Sequence, residues 1–246
     1  MDIKNYDSNM NEIQLKIKNE LLGKGASLVG FADLTDLPAD IRHSMKYAIS
    51  IAMALNPSIV SDIKPGPTKE YYFHYKKVNA LLWDLAEIVV SIIENNGFKA
   101  IPQKPTGAGI NRKTQSTILP HKTVATKAGL GWIGKCALLV TEKFGSALRI
   151  TTVLTDAPLD AANPVVKSLC GDCMLCVDSC PGKAPSGRNW EPNLQRESFF
   201  DVFACEKSAR EYAIAKLEID DTICGICIAI CPWTLKYIKG KNGQSR

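Results

Sequence analysis

Acidic residues are missing from one long stretch of this chain. Between Asn95 and Thr141 there is no aspartate or glutamate, although the whole sequence contains 25 acidic residues. The basic residues of this stretch are Lys99, Lys104, Arg112, Lys113, Lys122, Lys127 and Lys135. Such a segment favours a positive surface for an anionic ligand, and the alternative is a solvated basic face without a partner. Nucleic-acid binding fits the charge, but no aromatic-rich RNA-binding signature accompanies it.

Other absences narrow the class of protein. The apolar runs fall far short of the roughly 18 to 20 residues that a membrane span needs, so no membrane partner is expected. The chain does not begin with a charged and then apolar signal segment. With 46% hydrophobic and 22% charged residues, the composition is that of an ordinary globular protein.

Cysteine, in contrast, is concentrated in the last third of the chain. Eight of the nine cysteines lie between residues 170 and 231, in two sets that each end in Cys-Pro. The first set is Cys170, Cys173, Cys176 and Cys180, and the second is Cys205, Cys224, Cys227 and Cys231. This spacing is typical of a protein with two [4Fe–4S] clusters, in which the last cysteine of each run binds the other cluster. One cube would use Cys170, Cys173, Cys176 and Cys231, and the other Cys180, Cys205, Cys224 and Cys227.

The other uses of cysteine fit this pattern less well. A zinc site needs four tetrahedral ligands and does not explain a C-x2-C-x2-C-x3-C-P run. A disulfide framework is typical of small secreted chains. Reduced thiolates and iron–sulfur chemistry indicate the cytoplasm. The remaining thiol, Cys136, precedes an apolar run, and a free cysteine is most often a small buried hydrophobic residue.

The first 155 residues mix helical and strand patterns, which predicts an α/β (α+β) domain. We expect helices at 11–23, 69–95 and 121–128. Strands are expected at 26–32, 48–55, 99–102, 136–141 and 147–154. A linker rich in Pro, Ala and Asp follows at 156–163 and divides the chain into domains 1–160 and 161–246.

The glycines Gly129, Gly131 and Gly134 match a G-x-G-x-x-G pattern, but not in a dinucleotide-binding context. That fingerprint follows a strand and begins a helix. Here a helical pattern precedes it and a strand pattern follows. The glycines are therefore interpreted as sites of close backbone approach to a bulky ligand or of tight packing. Trp132 could stack on that ligand or belong to the core.

Several segments resemble the epoxyqueuosine reductase family. They are His121-Lys122-Thr123, Ala128-Gly129-Leu130-Gly131-Trp132-Ile133-Gly134-Lys135, Gly145-Ser146, Val153-Leu154-Thr155-Asp156-Ala157-Pro158-Leu159, and the two cysteine sets with Cys231-Pro232-Trp233. The resemblance covers residues 115–235 and, more weakly, 71–85.

That resemblance, which extends to reductive dehalogenases, implies a fold and a cofactor. The fold would be a nitroreductase-like core (1–160) followed by a double [4Fe–4S] ferredoxin-like domain (161–246). The cofactor would be base-off cobalamin bound between them, with FMN as the alternative because nitroreductase-like cores also bind flavin. The residues expected to contact it are Tyr72, Tyr75, Gly129, Gly131, Trp132, Gly134, Lys135 and Ser146.

The sequence departs from the family where its catalytic acid stands. The family has an Asp-Ser-x-Pro segment whose aspartate protonates the leaving oxygen, but the matching place here reads Ser116-Thr117-Ile118-Leu119-Pro120. Reductive C–O cleavage needs a proton donor near the reacting atom. His121 and Lys122 are therefore the candidate catalytic residues, and Tyr71, Tyr72 and Tyr75 are the other candidate proton donors. The alternative is a helix start whose His and Lys face water.

These patterns predict an iron–sulfur oxidoreductase of the epoxyqueuosine reductase-like class. Electrons would come from a low-potential ferredoxin or flavodoxin. They would pass to a corrinoid and then to a small molecule, a modified nucleoside or the corrinoid of another protein. The chain stops soon after the second cysteine set, so tRNA binding through the family's tail of helical repeats is not expected. An electron carrier without its own substrate and a flavin-dependent reductase are the alternatives.

Overall fold

The computed structural model describes residues 11–106 and 109–242, which form two compact units. Of the described residues, those within 11–53, 79–130 and 149–165 form unit 1. Those within 54–78, 131–148 and 166–242 form unit 2. The segments 54–78 and 131–148 therefore group with the cysteine-rich part of the chain, which a single division at residue 160 does not describe. The division into functional domains 1–160 and 161–246 stays a prediction.

Unit 1 is built around a four-stranded sheet. Its strands are β1 (Leu28–Asp33), β2 (Tyr47–Ala54), β3 (Ala100–Gln103) and β6 (Leu148–Thr155). They lie in the order β1, β2, β6, β3, and the pairs β1–β2 and β3–β6 are antiparallel. The nearly continuous apolar sequence of β2 predicted burial on both faces, and residues 48–52 are buried throughout.

Three helices accompany this sheet. Helix α1 (Glu12–Gly23) begins where the Asn11 side chain accepts a hydrogen bond from the Gln14 amide at 3.0 Å. Helix α3 (Lys69–Glu94) has the apolar repeat of three and four residues that predicted it, and its residues from 79 onward belong to unit 1. Helix α4 (His121–Lys127) packs on β1 around a core that includes Ala32 and Val124.

Unit 2 consists mainly of short helices around the cysteines. They are α2 (Pro57–Ser61), α5 (Leu175–Asp178), α6 (Val202–Leu217), α7 (Ile226–Ala229) and α8 (Pro232–Asn242). Asp201 caps α6 by accepting hydrogen bonds from the amides of Phe203 and Ala204 at 3.0 and 2.9 Å.

A small hairpin in unit 2 corrects one expectation from the sequence. The predicted strand at 136–141 is only two residues long, β5 (Leu139–Val140), and it pairs antiparallel with β4 (Trp132–Ile133). Between them the backbone turns, because Gly134 N donates to the Leu138 carbonyl at 2.9 Å and Ala137 N to the Gly134 carbonyl at 2.8 Å. Cys136 consequently lies in a turn.

The mixture of helices and sheet confirms the predicted α/β (α+β) class. The nitroreductase-like nature of the core stays a prediction. None of the helices in the described ranges is both long and apolar enough to cross a membrane.

Candidate iron–sulfur centre

One cavity of unit 2 is lined by thiols from both cysteine sets. It contains about 410 Å³ of space, part of which is open to solvent. The thiols on its wall are those of Cys136, Cys170, Cys173, Cys176, Cys227 and Cys231. Val140, Pro232 and Trp233 supply apolar lining, and Lys135 also reaches the wall. Soft thiolate donors in an apolar enclosure fit an iron–sulfur cluster.

Tight turns explain how the first set reaches this cavity. Gly171 has a φ of +52°, and the Cys173 amide donates to the Cys170 carbonyl at 3.1 Å. Helix α5 follows, and the Cys180 amide then donates to the Val177 carbonyl at 3.3 Å. Three thiols therefore face one cavity, while Cys180 comes after the helix and meets other partners.

Cys231 completes this group from the start of α8. Burial raises the pKa of its thiol, and hydrogen bonds from the Thr234 and Trp233 amides and the Thr234 hydroxyl act against that rise. These donors all favour the thiolate form, which is the form that binds iron. The sequence placed Cys231 with Cys170, Cys173 and Cys176, and the structure brings the four thiols to the same cavity.

A second group forms around the detached Cys205. Helix α6 brings Cys205 close to Cys180 and Cys224. Burial has the largest effect on the Cys205 thiol, and together with the two neighbouring thiols it raises the pKa of Cys205 to about 11. The close approach depends on Gly182, where a Cβ would lie 2.6 Å from the Ala204 carbonyl oxygen. Burial also raises the pKa of Cys224. The three thiols are those expected to share the second cube.

Cys136 and Cys227 connect the two groups. The Cys136 thiol is hydrogen-bonded with the thiols of Cys176 and Cys227, and its side chain is buried. Hydrogen bonding with Cys136, followed by burial, raises the pKa of Cys176. The prediction that Cys136 is buried is confirmed, but its contacts with other thiols could not be predicted, because its position has no regular spacing to the other cysteines. The assignment of Cys227 to the second cube stays a prediction, since its side chain lines the first cavity.

Lys135 is a buried cation beside the thiols. It is 3% exposed, and its Nζ lies 3.6 Å from the Met174 sulfur. Its positive charge lowers the pKa of Cys176, against the larger effects that raise it. The structure places Lys135 on the wall of the cysteine cavity, and its predicted contact with a corrin or flavin stays a prediction.

The glycine motif has a packing role in each unit. A Cβ on Gly131 would lie 2.1 Å from the Val140 carbonyl oxygen, and one on Gly134 would lie 2.8 Å from a Val140 methyl group. Gly129, after α4, has a φ of +71°. Close strand pairing and a helix end therefore require these glycines, whether or not a cofactor is bound.

Two other predicted cofactor residues contact the start of α8. The ring of Trp132 meets that of Trp233 edge to face, with centroids 5.1 Å apart. The Ser146 amide donates to the Thr234 hydroxyl oxygen at 3.1 Å. Because Thr234 in turn donates to the Cys231 thiol, Ser146 supports a predicted cluster ligand.

The indole nitrogen of Trp132 is the unusual atom of this group. Trp132 is 1% exposed, and its Nε1–H has no hydrogen-bond partner among the residues the structure describes. A buried N–H group without a partner is costly. The atom therefore fits a hydrogen bond to a bound group.

Tyr72 and Tyr75 lie in the first turns of α3, within unit 2. Tyr72 is buried, its ring contacts Phe73 edge to face, and the Lys76 ammonium lies 4.6 Å from its centroid. Tyr75 is half-buried. Their assignment to a cofactor stays a prediction.

His121 is held by hydrogen bonds at both ring nitrogens. Nδ1 lies 2.9 Å from the Thr152 hydroxyl, and Nε2 lies 2.9 Å from the Lys104 carbonyl oxygen. The carbonyl can only accept, so Nε2 carries the proton and Nδ1 accepts from Thr152. Burial lowers the pKa of His121, so the ring is neutral at pH 7. This geometry favours a structural role, and the catalytic roles of His121 and of half-buried Lys122 remain predictions.

The acid-free stretch is not one uniform basic surface. Lys127 pairs with Asp36, with Nζ 2.7 Å from one carboxylate oxygen, and the Lys104 ammonium lies 5.7 Å from the centre of the Trp83 ring. Lys135 is buried in the other unit. Folding therefore gives these cations different partners.

Comparison with known proteins agrees with this site. Residues 169–234 match the family described as 4Fe-4S double cluster binding domain. An epoxyqueuosine reductase from Leadbetterella byssophila is 26% identical over 211 residues, which are 86% of this chain and 66% of that protein.

Two solved structures share the fold. A reductive dehalogenase whose structure suggests a mechanism for B12-dependent dehalogenation has a TM-score of 0.69 at 16% identity, over 93% of this chain and 33% of that one. An epoxyqueuosine reductase in complex with an epoxyqueuosine-modified tRNA stem loop has a TM-score of 0.63 at 17% identity, over 91% of this chain and 66% of that one.

The chain spans between 35% and 66% of the length of three curated epoxyqueuosine reductases that it matches. It thus carries a 4Fe–4S double cluster binding domain, is similar in sequence to epoxyqueuosine reductases, and shares a fold with them and with reductive dehalogenases.

Proposed function

We propose that the protein is a cytoplasmic iron–sulfur oxidoreductase that takes single electrons from a low-potential ferredoxin or flavodoxin and delivers them to a cofactor bound by the same chain. The observation that carries this proposal is the thiol-lined cavity of unit 2, within a segment that matches a double-cluster domain. Similarity to epoxyqueuosine reductases supports the assignment to an enzyme.

The thiols divide into two ligand sets. Cys170, Cys173, Cys176 and Cys231 would hold one cube, and Cys180, Cys205, Cys224 and Cys227 the other. When bound, [4Fe–4S] clusters supply one-electron transfer. The protein contributes the apolar wall, the buried charge of Lys135, and the hydrogen bonds from Thr234 and the backbone to Cys231.

Cobalamin is the proposed acceptor. Its support is the shared fold with a reductive dehalogenase linked to B12 chemistry and the unpartnered Nε1–H of Trp132. A corrin carries amide side chains that accept such a hydrogen bond, and when bound it supplies low-valent cobalt for reduction. Tyr72, Tyr75, Gly129, Gly131, Trp132, Gly134, Lys135 and Ser146 are the residues proposed to hold it.

The substrate proposed is a small organic molecule, a modified nucleoside or the corrinoid of a protein partner. Epoxyqueuosine is one modified nucleoside of this class, because the curated relatives carry that activity in their names. Any reduction that needs a proton must find another donor than the family's aspartate, since residues 116–120 contain none. His121 would have to give up its bond to the Lys104 carbonyl to donate its proton.

A second candidate is an electron carrier without its own substrate. The observation that favours it is that the matched family covers only residues 169–234. In that case unit 1 would serve docking or regulation. A flavin-dependent reductase is the third form of the proposal, with FMN in place of cobalamin.

Anaerobic reconstitution separates these possibilities. The purified chain is loaded with iron and sulfide, mixed separately with cobalamin or FMN, and its absorption spectrum is recorded before and after reduction. We expect about eight irons per chain and a base-off cobalamin spectrum that changes on reduction. Trp132→Phe keeps the ring but removes the N–H and should weaken cobalamin binding.

Other outcomes choose among the alternatives. Full iron content with uptake of neither cofactor supports the electron carrier. A spectrum of bound FMN, but not of cobalamin, supports the flavin enzyme. Iron content far below eight per chain would contradict the proposed function in every form.

A further inference from the structure

Cys136 is the one cysteine that the two cubes do not use. It lies in the turn between β4 and β5, where the backbone is held by the hydrogen bonds Gly134 N to Leu138 O and Ala137 N to Gly134 O. Its side chain is 6% exposed. The turn thus holds the thiol in one place on the wall of the cysteine cavity.

Its neighbours come from both proposed ligand sets. The Cys136 thiol is hydrogen-bonded with Cys176, assigned to the first cube, and with Cys227, assigned to the second. A Cβ on Gly134 would lie 3.6 Å from the Cys136 sulfur and 3.7 Å from the Cys170 sulfur. Three thiols of the cavity therefore lie close to Cys136.

We propose that Cys136 donates its single S–H to the thiolate of Cys227 and so raises the reduction potential of the cluster that Cys227 holds. The inference rests on the proposed function, because it needs both cubes in place. Each cube already has four thiolates, so Cys136 is not needed as a ligand. Its S–H is a donor, and ligand thiolates are acceptors.

The direction of the effect follows from charge. Reduction adds a negative charge to a cluster, and part of that charge resides on the ligand sulfurs. A hydrogen bond to a sulfur stabilises the reduced cluster more than the oxidised one and raises its potential. Losing the donor should therefore lower the potential without removing iron.

The test compares Cys136→Ala with Cys136→Ser in the reconstituted protein. Alanine removes the donor, whereas serine retains one as a hydroxyl. Ile238→Val is the matched control, because Ile238 is buried on α8 of the same unit, outside the residues that line the cavity, and has no polar group. Iron content is measured first, and each cluster is then titrated with reductant and followed by electron paramagnetic resonance.

We expect Cys136→Ala to keep about eight irons per chain. At a fixed potential, the ratio of reduced to oxidised cluster should fall by roughly threefold to tenfold for at least one cluster. Tenfold corresponds to about 59 mV for one electron. Cys136→Ser and Ile238→Val should stay within roughly twofold of the wild type, as expected when the donor is kept or was never present.

Two results would overturn the inference alone. If Cys136→Ala retains its iron and both potentials are unchanged, the thiol does not affect the clusters. If it loses about four irons, Cys136 is a ligand. A wild-type chain that takes up far fewer than eight irons would overturn the proposed function and the inference with it.

Discussion

The two cysteine groups of unit 2 differ in the charges around them. The group of Cys170, Cys173, Cys176 and Cys231 shares its cavity with the buried cation Lys135. At the other group, the carboxylates of Asp201 and Glu206 add to the rise in the pKa of Cys205, after the larger effects of burial and the neighbouring thiols.

The difference in nearby charge indicates which cluster should be easier to reduce. A cation stabilises the extra negative charge of a reduced cluster, whereas a carboxylate destabilises it. We therefore expect the first site to have the higher potential and the Cys205 site the lower one. Electrons entering at the Cys205 site would then pass to the first site in the favourable direction.

The largest effect is expected from Cys205→Ser, which should remove one of the two clusters that are compared. The variant should lose about four of about eight irons and keep the cluster in the cavity lined by Cys231. Iron analysis and electron paramagnetic resonance measure this loss. Ser208→Ala is the control, since Ser208 is a buried polar residue on the same helix.

An unchanged pair of clusters in Cys205→Ser would show that the detached ligand is wrongly assigned. Loss of both clusters would show that the two sites do not assemble separately.

Two glycine variants should damage the sites one at a time. At Gly134→Ala the new Cβ would lie 2.8 Å from a Val140 methyl group beside the first cavity, and at Gly182→Ala it would lie 2.6 Å from the Ala204 carbonyl oxygen near Cys205. Overpacking of this kind costs about 1 to 3 kcal/mol. Each variant should lower the occupancy of its own cluster, which iron content and the two resonance signals report.

The pair serves as its own control, because both changes add a single methyl group. The comparison fails if both variants lose the same cluster.

Lys135→Met should reduce the electrostatic difference between the sites. Removing the buried charge should lower the reduced-to-oxidised ratio of the first cluster by about tenfold or more at fixed potential, or about 59 mV. Potentiometric titration measures the shift. Lys236→Met is the control: its ammonium lies 5.9 Å from the Trp233 ring, but the side chain is exposed and its charge is screened by solvent.

If Lys135→Met shifts only the potential of the Cys205 cluster, the assignment of Lys135 to the first site is wrong. Equal shifts in both variants would mean that burial does not matter.

The smallest effect is expected from Glu206→Gln. Losing this carboxylate should raise the potential of the Cys205 cluster, but by less than about threefold in the reduced-to-oxidised ratio, because Glu206 is only half-buried and solvent screens part of its charge. Glu206 already pairs with Arg210 at 3.7 Å. Glu206 is preferred to Asp201 because Asp201 also caps α6, so replacing Asp201 would change the helix end as well as the charge. The exposed Glu211→Gln on the same helix is the control, and a lowered potential in Glu206→Gln would contradict the assignment.

Local patterns carried most of what could be predicted. The apolar repeat of α3 and the continuous apolar run of β2 were visible because helices and strands impose their own periods on the sequence. The cysteine sets were visible because a cube needs thiolates at short, fixed spacings. The strand predicted at 136–141 failed, since a turn held by backbone hydrogen bonds takes most of that segment.

The contacts of His121, Lys135 and Ser146 could not be predicted from local sequence patterns. Each depends on partners far along the chain: Thr152 for His121, Met174 for Lys135 and Thr234 for Ser146. No periodicity links such positions, so the sequence could not predict these contacts, and the cofactor and catalytic roles of the three residues stay predictions.

The sequence by itself determined the two cysteine sets, the mixed helix and sheet class and the lack of acid between Asn95 and Thr141, because these are properties of composition and of short spacings. Only the tertiary structure decided that a lysine is buried beside one group of thiols, that carboxylates stand near the other, and that Cys136 touches a member of each ligand set. Those contacts join residues distant in the chain, and folding alone determines which side chains share a cavity.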